Sequence, residues 1–275
     1  MKKFENIMIA TDLDGTFLAN GTVEVEKNIE KVRYFTDNGG IFTFATGRAS
    51  WNLDAILPNA WKYLNFPAIT CNGMCLYNLA EKKPEYEIFM PSEEIVGIVR
   101  HILPRYPDAC FRAAGREGIV IFQPEHPFMV EEMKHNPVKY FIYPYEEWVN
   151  HKFYKLTITG REETVDAVRT EIDEVFPNRY DMNKSCSTLL EILPRGRSKA
   201  DMLISVKRGL EADGKKIKLY AVGDYENDIP MLRIADVAVC PANAIGCVKN
   251  ICSLCLCDNN SGVIADLIYF IDEEL

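Results

Sequence analysis

The sequence predicts an α/β fold, in which helices cover both faces of a mostly parallel sheet and a large α+β segment interrupts the chain. Two observations support this prediction. Apolar runs of strand type alternate with segments of helical periodicity along much of the chain. The 275 residues also exceed what one hydrophobic core usually organises, and the regular alternation is lost after about residue 80. We therefore expect a first domain made of residues 1–80 and 193–275, and an inserted domain of residues 81–192.

The first eighty residues alternate between strand and helix patterns. Apolar runs of strand type occupy residues 7–11, 41–45 and 67–71. Between the first two runs, Val25, Ile29 and Val32 recur at helical spacing until Gly39-Gly40 ends the helix. Each strand is followed by polar or turn-forming residues, namely Asp12-Leu13-Asp14-Gly15, Thr46-Gly47-Arg48 and Asn72-Gly73.

The middle of the chain mixes strand and helix patterns less regularly. We interpret Lys82, Lys83 and Pro84 as a linker into the inserted domain. Helices are expected at residues 93–103 and 164–176, and strands at 118–122 and 155–159. The strand pattern at 189–193 is expected to return the chain to the first domain.

The last eighty residues resume the regular alternation. The expected elements are a helix from Ser198 to Asp213-Gly214, a strand at 217–222 that ends at Gly223-Asp224, a strand at 237–240 and a helix at 263–271. Connections between such parallel strands should be right-handed.

Charge and composition exclude several classes of partner. Lys and Arg number 31 against 40 Asp and Glu, which gives a net charge of −9 at pH 7. Such a field repels nucleic acid and anionic membranes, so neither is expected as a partner. Nine cysteines and the lack of an export signal favour a reducing compartment, so the cytoplasm is the expected location. The sequence leaves the oligomeric state open.

Four cysteines lie close together near the end of the chain: Cys247, Cys252, Cys255 and Cys257. Cys252 and Cys255 have the two-residue spacer that is typical of zinc sites, so a thiolate metal site is one interpretation. Leu254 and Leu256 alternate with the cysteines, which favours a short buried strand at 253–257. We therefore prefer cysteines that act as small core residues.

Several reactive side chains follow the ends of distant strands. Open α/β sheets bind ligands beyond the carboxyl ends of their strands, and three of the predicted strands end at Asp12, Thr46 and Asp224. Lys199 opens the helix that follows the inserted segment. Carboxylates, a hydroxyl and an ammonium together suit phosphoryl transfer, which needs a nucleophile, a metal and charge neutralisation.

In chain order, four segments resemble the motifs of the haloacid dehalogenase superfamily. These are Asp12-Leu13-Asp14-Gly15-Thr16, Thr46-Gly47-Arg48, Lys199 and Gly223-Asp224-Tyr225-Glu226-Asn227-Asp228. The insert of roughly 110 residues resembles the cap of the Cof-type, subclass IIB sugar-phosphatase branch, so the resemblance covers essentially the whole chain. It implies a Rossmann-like core with an inserted α+β cap. It also implies a Mg²⁺-dependent phosphatase that hydrolyses small phosphorylated metabolites, expected to be sugar phosphates, through an aspartyl-phosphate.

The resemblance also implies a role for each motif residue. Asp12 would be the nucleophile and, with Asp224 and the backbone carbonyl of Asp14, a ligand of Mg²⁺. The Asp14 side chain would protonate the leaving oxygen and then activate water. Lys199 would balance the charge that develops on the phosphoryl group. Arg48 is expected to be structural or peripheral.

The remaining motif residues are expected to bind substrate or to orient other groups. The substrate-binding set implied by the resemblance is Thr46, Gly47, Asn72, Lys199 and Asn227. Asp228 would orient Lys199 or a metal-bound water from behind. Taken singly, each of these residues is also compatible with a turn, a helix cap or a solvated side chain, so the prediction depends on the whole set.

Two other functions share these residues. A sugar phosphomutase would use the same aspartyl-phosphate and pass its phosphoryl group to a second sugar position. A non-catalytic signalling or binding module that is phosphorylated on aspartate would also combine acidic residues, a hydroxyl and a lysine. Asp14 and the large insert favour a hydrolytic enzyme over both.

Overall fold

The computed structural model describes residues 2–19, 23–136 and 138–275, and these form two compact units. The core unit comprises the chain up to Tyr86 together with Ser198–Leu275. The insert unit is Glu87–Arg197. The sequence places the insert at 81–192, a few residues earlier at both ends.

All strands and helices predicted above are present, and their ends differ by a few residues from the predicted ones. The strands are β1 (Ile7–Thr11), β2 (Leu18–Ala19), β3 (Val23–Glu24), β4 (Ile41–Phe44), β5 (Ala68–Thr70), β6 (Cys75–Asn78), β7 (Lys83–Glu87), β8 (Cys110–Gly115), β9 (Ile119–Ile121), β10 (Tyr140–Ile142), β11 (Phe153–Thr159), β12 (Tyr180–Cys186), β13 (Leu189–Pro194), β14 (Lys218–Val222), β15 (Val237–Pro241) and β16 (Leu254–Leu256). The α-helices are α1 (Glu26–Asp37), α2 (Ser50–Ile56), α3 (Ser92–Ile102), α4 (Pro127–His135), α5 (Glu162–Val175), α6 (Lys199–Leu210), α7 (Ile229–Ile234), α8 (Gly246–Lys249) and α9 (Val263–Glu274).

The core unit is built on a parallel sheet with the strand order β16-β15-β14-β1-β4. All five residues of β1 are buried, as expected for a strand that is covered on both faces. Met8 and Ala10 pack with α6 and α7, and strand alternation directs Ile9 to the opposite face. On that side α1 packs against both β4 and α9. The predicted α/β class is therefore confirmed.

The insert unit is an α+β structure with a mixed sheet of order β10-β9-β8-β11-β13-β12. Only β9 and β10 pair in parallel, and the other neighbours pair in antiparallel fashion. Apolar residues of α3 and α5, such as Val99 and Val168, pack with Phe111, Leu156 and Ile192 of the sheet. These helices pack on the sheet, and together with it they form the hydrophobic core of this unit.

Two predictions about the ends of the insert are wrong. Residues 82–84 are not a linker, because Lys82 lies in a tight turn with φ 51° and Lys83 opens β7, which pairs with β6 in the core unit. The strand at 189–193 does not return the chain to the core sheet. As β13 it pairs with β11 and β12 in the insert unit, where Leu190 and Ile192 enter the core of that unit.

The interpretation of the clustered cysteines as core residues is also wrong for part of the cluster. The predicted strand exists as β16, but it is an edge strand whose Cys255 is exposed. Cys247 is exposed as well, and Cys252 and Cys257 are half-buried. An edge strand has no neighbouring strand on one side, and the alternating apolar pattern alone did not reveal this position.

Within residues 2–19, 23–136 and 138–275, the helices are all too short or too polar to span a bilayer.

Candidate functional site

Three neighbouring parallel strands end side by side at one edge of the core sheet. Residue Thr11, the last of β1, is in register with Val222 at the end of β14 and with Phe44 at the end of β4. Asp12 follows β1 directly, and its backbone N–H donates to the Val222 carbonyl at 2.9 Å. The sheet order therefore brings Asp12, Thr46 and Asp224 to the same edge, although they are far apart in sequence.

Lys199 is buried between two of the aspartates. It is the first residue of α6, whose start is fixed by the cap residue Ser198 and by a hydrogen bond of 2.6 Å from its hydroxyl to Asp201. The Lys199 Nζ donates to Asp12 Oδ1 at 2.5 Å and to Asp228 Oδ1 at 2.6 Å. The lysine side chain has no exposed surface, so it depends on these carboxylates for compensation.

Both oxygens of the Asp228 carboxylate accept hydrogen bonds. Its Oδ1 receives Lys199, and its Oδ2 receives the backbone N–H groups of Asp224 at 2.9 Å and Tyr225 at 3.2 Å. Asp228 lies in the short 3₁₀ helix Glu226–Asp228 that precedes α7. These bonds hold both Lys199 and the turn after β14 in place.

Asp224 is held on the other side of Asp12. Its Oδ1 accepts a hydrogen bond of 2.7 Å from the Thr16 hydroxyl. Gly15 approaches it closely, since a Cβ on Gly15 would lie 2.5 Å from Asp224 Oδ2, and the Gly15 φ is +76°. The Asp12-to-Thr16 turn and the Asp224 turn therefore fit together only with a glycine at position 15.

The electrostatics of this cluster leave negative charge uncompensated. Asp12, Asp224 and Asp228 each bring a carboxylate oxygen to within 4.8 Å of the others, against a single ammonium from Lys199. Burial, reinforced by the neighbouring carboxylates, raises the pKa of Asp12 well above its ordinary value although Lys199 opposes this shift. Burial and Asp228 raise the pKa of Asp224 to about 7. Burial alone would lower the pKa of Lys199, but Asp12 and Asp228 outweigh it and raise that pKa.

A divalent cation fits this excess charge. Among the described residues, Asp12 and Asp224 each have one carboxylate oxygen, Oδ2, that receives no hydrogen bond, whereas both oxygens of Asp228 are occupied. Hard cations such as Mg²⁺ prefer such oxygen ligands. Asp12 and Asp224 could therefore hold a cation between them, whereas both oxygens of Asp228 already accept hydrogen bonds.

The predicted substrate-binding residues lie beside this cluster in the core unit. Thr46 follows β4 and is fully buried, and its hydroxyl accepts the Arg48 backbone N–H at 3.1 Å. The backbone N–H of Asn72 donates to the Thr46 carbonyl at 2.9 Å, which joins the two turns. Asn227 reaches Asn72 with an Nδ2 to Oδ1 distance of 3.5 Å. Gly47 lies between Thr46 and Arg48 in the same turn.

Arg48 is bonded to Asp14 and Asn52, so of the two expected roles, structural or peripheral, its contacts agree with the structural one. Its Nε donates to Asp14 Oδ2 and its Nη2 to Asp14 Oδ1, both at 2.7 Å. Its Nη1 donates to Asn52 Oδ1 at 2.5 Å. The Asp14 side chain is 47% exposed and points toward this arginine, so it lies at the open side of the cluster and not within it.

Three asparagines that the sequence analysis missed hold the backbone of the loop after Asp12. Asn28 donates to the Phe17 carbonyl at 3.0 Å, Asn243 to the Gly15 carbonyl at 2.7 Å and Asn259 to the Leu18 carbonyl at 2.8 Å. Asn28 had a detectable signal, because it lies on the same face of α1 as Val32 and Phe35, where an apolar residue is expected. The other two lie in loops whose sequence gives no such signal.

The chain matches the haloacid dehalogenase-like hydrolases over residues 9–268. An HMP-PP phosphatase of Yersinia pseudotuberculosis is 26% identical over 248 residues, which cover 88% of this chain and 86% of that protein. A 5-amino-6-(5-phospho-D-ribitylamino)uracil phosphatase of Bacillus subtilis is 23% identical over 264 residues, which cover 94% of each.

Solved structures share the fold along nearly the full chain. The crystal structure of a Streptococcus mutans protein aligns with a TM-score of 0.85 at 22% identity, covering 97% of this chain and 98% of that one. A structure described as a subclass IIB sugar phosphatase of the same superfamily aligns with a TM-score of 0.80 at 20% identity, covering 96% and 98%. These likenesses show a parallel-sheet core with an inserted cap.

Proposed function

The chain belongs to the haloacid dehalogenase-like hydrolases and is a phosphatase, and we propose that it is of their Cof-type, subclass IIB branch and hydrolyses sugar phosphates through an aspartyl-phosphate on Asp12. Its substrates are small phosphorylated metabolites, like those of its relatives. The observation that supports the proposal best is the buried Lys199, which contacts Asp12 at 2.5 Å beside Asp224. A non-catalytic signalling module does not agree with a hydrolase family that matches nearly the whole chain.

Asp12 is the proposed nucleophile. In the first step an Asp12 carboxylate oxygen bonds to phosphorus while the bond from phosphorus to the leaving oxygen breaks. Lys199 orients that carboxylate and offsets the negative charge that gathers on the phosphoryl group. Asp228, with no exposed surface, keeps Lys199 charged and in place.

Asp14 is the proposed proton carrier. It gives its proton to the leaving oxygen in the first step. In the second step water attacks phosphorus, Asp14 accepts the proton of that water, and the bond between phosphorus and Asp12 breaks. The exposure of Asp14 suits this role, because the leaving group and the water must both reach it.

Mg²⁺ is the proposed cofactor. Asp12 and Asp224 would hold it through their carboxylates, with the backbone carbonyl of Asp14 as a further ligand. The ion would supply positive charge next to the transferring phosphoryl group. The excess negative charge of the cluster and the raised pKa of Asp224 support a site that is completed by a cation.

Thr46, Gly47, Asn72 and Asn227 are the proposed contacts of the substrate phosphoryl group, together with Lys199. Their turns are joined by the hydrogen bonds from Asn72 to Thr46 and from Asn227 to Asn72, so they would act as one rigid wall. Hydroxyl, amide and backbone N–H donors are suited to phosphoryl oxygens.

The proposal is tested by measuring phosphate release from a panel of phosphorylated metabolites that includes sugar monophosphates and bisphosphates. We expect release from sugar monophosphates with Mg²⁺, and none with EDTA or in Asp12→Asn. The exposed Asp37 at the end of α1 provides the matched control, since Asp37→Asn should be as active as the wild type. Wild-type activity in Asp12→Asn would overturn the mechanism. Positional exchange of phosphate in a bisphosphate without net release would favour the phosphomutase.

A further inference from the structure

We propose that Arg48 and Asn52 form a positioning relay that orients the Asp14 carboxylate for proton transfer. The inference rests on the proposed function, because it concerns the proton carrier of that reaction. Arg48 and Asn52 would not touch the substrate in this account. They would act through Asp14 alone.

The first contact of the relay is a bidentate ion pair. Arg48 donates from Nε and Nη2 to the two different oxygens of Asp14, each at 2.7 Å. Parallel paired bonds of this kind fix the plane of a carboxylate as well as its position. Asp14 needs such a constraint, because almost half of its side-chain surface is exposed and would otherwise leave it free to rotate.

The second contact fixes the arginine itself. Nη1 of Arg48 donates to Asn52 Oδ1 at 2.5 Å, and Asn52 is only 4% exposed in the first turn of α2. The backbone N–H of Arg48 is also bound to the Thr46 hydroxyl at 3.1 Å. A long, flexible side chain is thus held at its base and at its tip, and the guanidinium presents one defined face to Asp14.

The relay leaves Asp14 able to exchange a proton. A carboxylate offers about four acceptor positions, and Arg48 occupies two of them, one on each oxygen. The remaining positions can carry the proton that passes to the leaving oxygen and can later accept the proton of the attacking water. Orientation matters for this transfer, because general acid catalysis requires the donor within hydrogen-bond reach of the oxygen.

The dependence of the first-step rate on the leaving group distinguishes a role in proton transfer from a merely structural role. A sugar alkoxide needs a proton to leave, whereas p-nitrophenolate leaves readily without one. The test measures the first step alone, as release of the leaving group in a single turnover with excess enzyme. We expect Arg48→Gln to slow release from a sugar monophosphate by roughly 100-fold and Asn52→Ala by about tenfold, with little change for p-nitrophenyl phosphate.

Matched variants sharpen the test. Arg48→Lys should be nearly as slow as Arg48→Gln, because an ammonium cannot make the paired contact. Asn52→Asp, which keeps the acceptor oxygen, should retain most of the rate. Arg33→Gln on the exposed side of α1 should match the wild type. If Arg48→Gln fails to fold, Asn52→Ala tests the relay by its own expected loss of about tenfold on the sugar monophosphate, with little change on p-nitrophenyl phosphate.

Equal losses on both substrates, no loss on the sugar phosphate or a faster reaction would each overturn the relay while leaving the proposed function intact. A wild-type protein that releases phosphate from neither substrate would overturn the proposed function, and the relay with it.

Discussion

Replacing Gly73 by alanine should disturb the site from a distance through the start of α6. Gly73 closes the 3₁₀ turn after β5 with φ +99°. A Cβ at this position would lie 2.1 Å from the Ser198 carbonyl oxygen and 2.6 Å from the Ser198 carbonyl carbon. Ser198 caps α6 and directly precedes Lys199. The added methyl group would therefore push on the backbone that positions Lys199.

The size of the effect follows from these distances. Cβ contacts under 3.0 Å essentially do not occur, so the backbone of Ser198 or of Gly73 must move by about 1 Å. A shift of this size would break the contacts of 2.5 and 2.6 Å from Lys199. Misplacement by about 1 Å can reduce a rate about 100-fold. The left-handed φ adds a further ~1–2 kcal/mol of destabilisation for a residue with a side chain.

The assay combines kcat/KM for phosphate release with denaturant unfolding. We expect Gly73→Ala to lose about 100-fold in kcat/KM and to unfold more easily by about 2 kcal/mol or more. Gly209 in α6 is the control, because a Cβ there meets nothing within 4 Å. Gly209→Ala should keep full activity and gain up to about 1 kcal/mol of stability. Wild-type activity and stability in Gly73→Ala, or equal effects of the two substitutions, would refute the reasoning.

Two further predictions concern the charged groups of the two units. The pKa of Asp224 is raised to about 7, so protons compete with Mg²⁺ for this carboxylate below that pH. The rise in Tm on adding Mg²⁺ should therefore be larger above this pH than below it, and it should disappear in Asp224→Asn. Lys155→Met deprives the buried Glu191 of its ammonium partner and should lower the free energy of unfolding by about 3–5 kcal/mol, with most of the loss recovered in Lys155→Met/Glu191→Leu. The carboxylate partners of Lys184 are more than half exposed, so Lys184→Met should lower the free energy of unfolding by less than about 1 kcal/mol. A loss in Lys184→Met equal to that in Lys155→Met would contradict this prediction.

The residues that follow the core strands were predictable, because each is marked by the apolar run directly before it in the sequence. Asp12, Thr46 and Asp224 each follow an apolar run, and parallel strands necessarily bring their carboxyl ends to one edge. The position of Lys199 at the start of a helix was predictable from the helical pattern that begins at Ser198 and from its place in the motif order. The same order suggested that Asp228 lies near Lys199 or near a metal-bound water, and the structure has it bonded to Lys199.

The errors concern partners that are distant in sequence. The alternation of Leu190 and Ile192 specifies a strand but does not say which sheet the strand joins, so the predicted return of the chain to the core unit at β13 is wrong. The partner of Arg48 could not be predicted, because Asp14 lies 34 residues away and no periodicity links the two. Asn28 could have been noticed, since an amide on the apolar face of α1 requires a hydrogen-bond partner.

The covalent step on Asp12 has a direct test. Enzyme mixed rapidly with a sugar monophosphate and Mg²⁺ is quenched in acid, and the peptide that contains Asp12 is examined by mass spectrometry. The account predicts a transient phosphoryl group on Asp12, which should accumulate in Asp14→Asn when p-nitrophenyl phosphate is the substrate, because the second step then lacks its base. Phosphate release with no phosphoryl group on Asp12 at any time, or with the group on another residue, would contradict it.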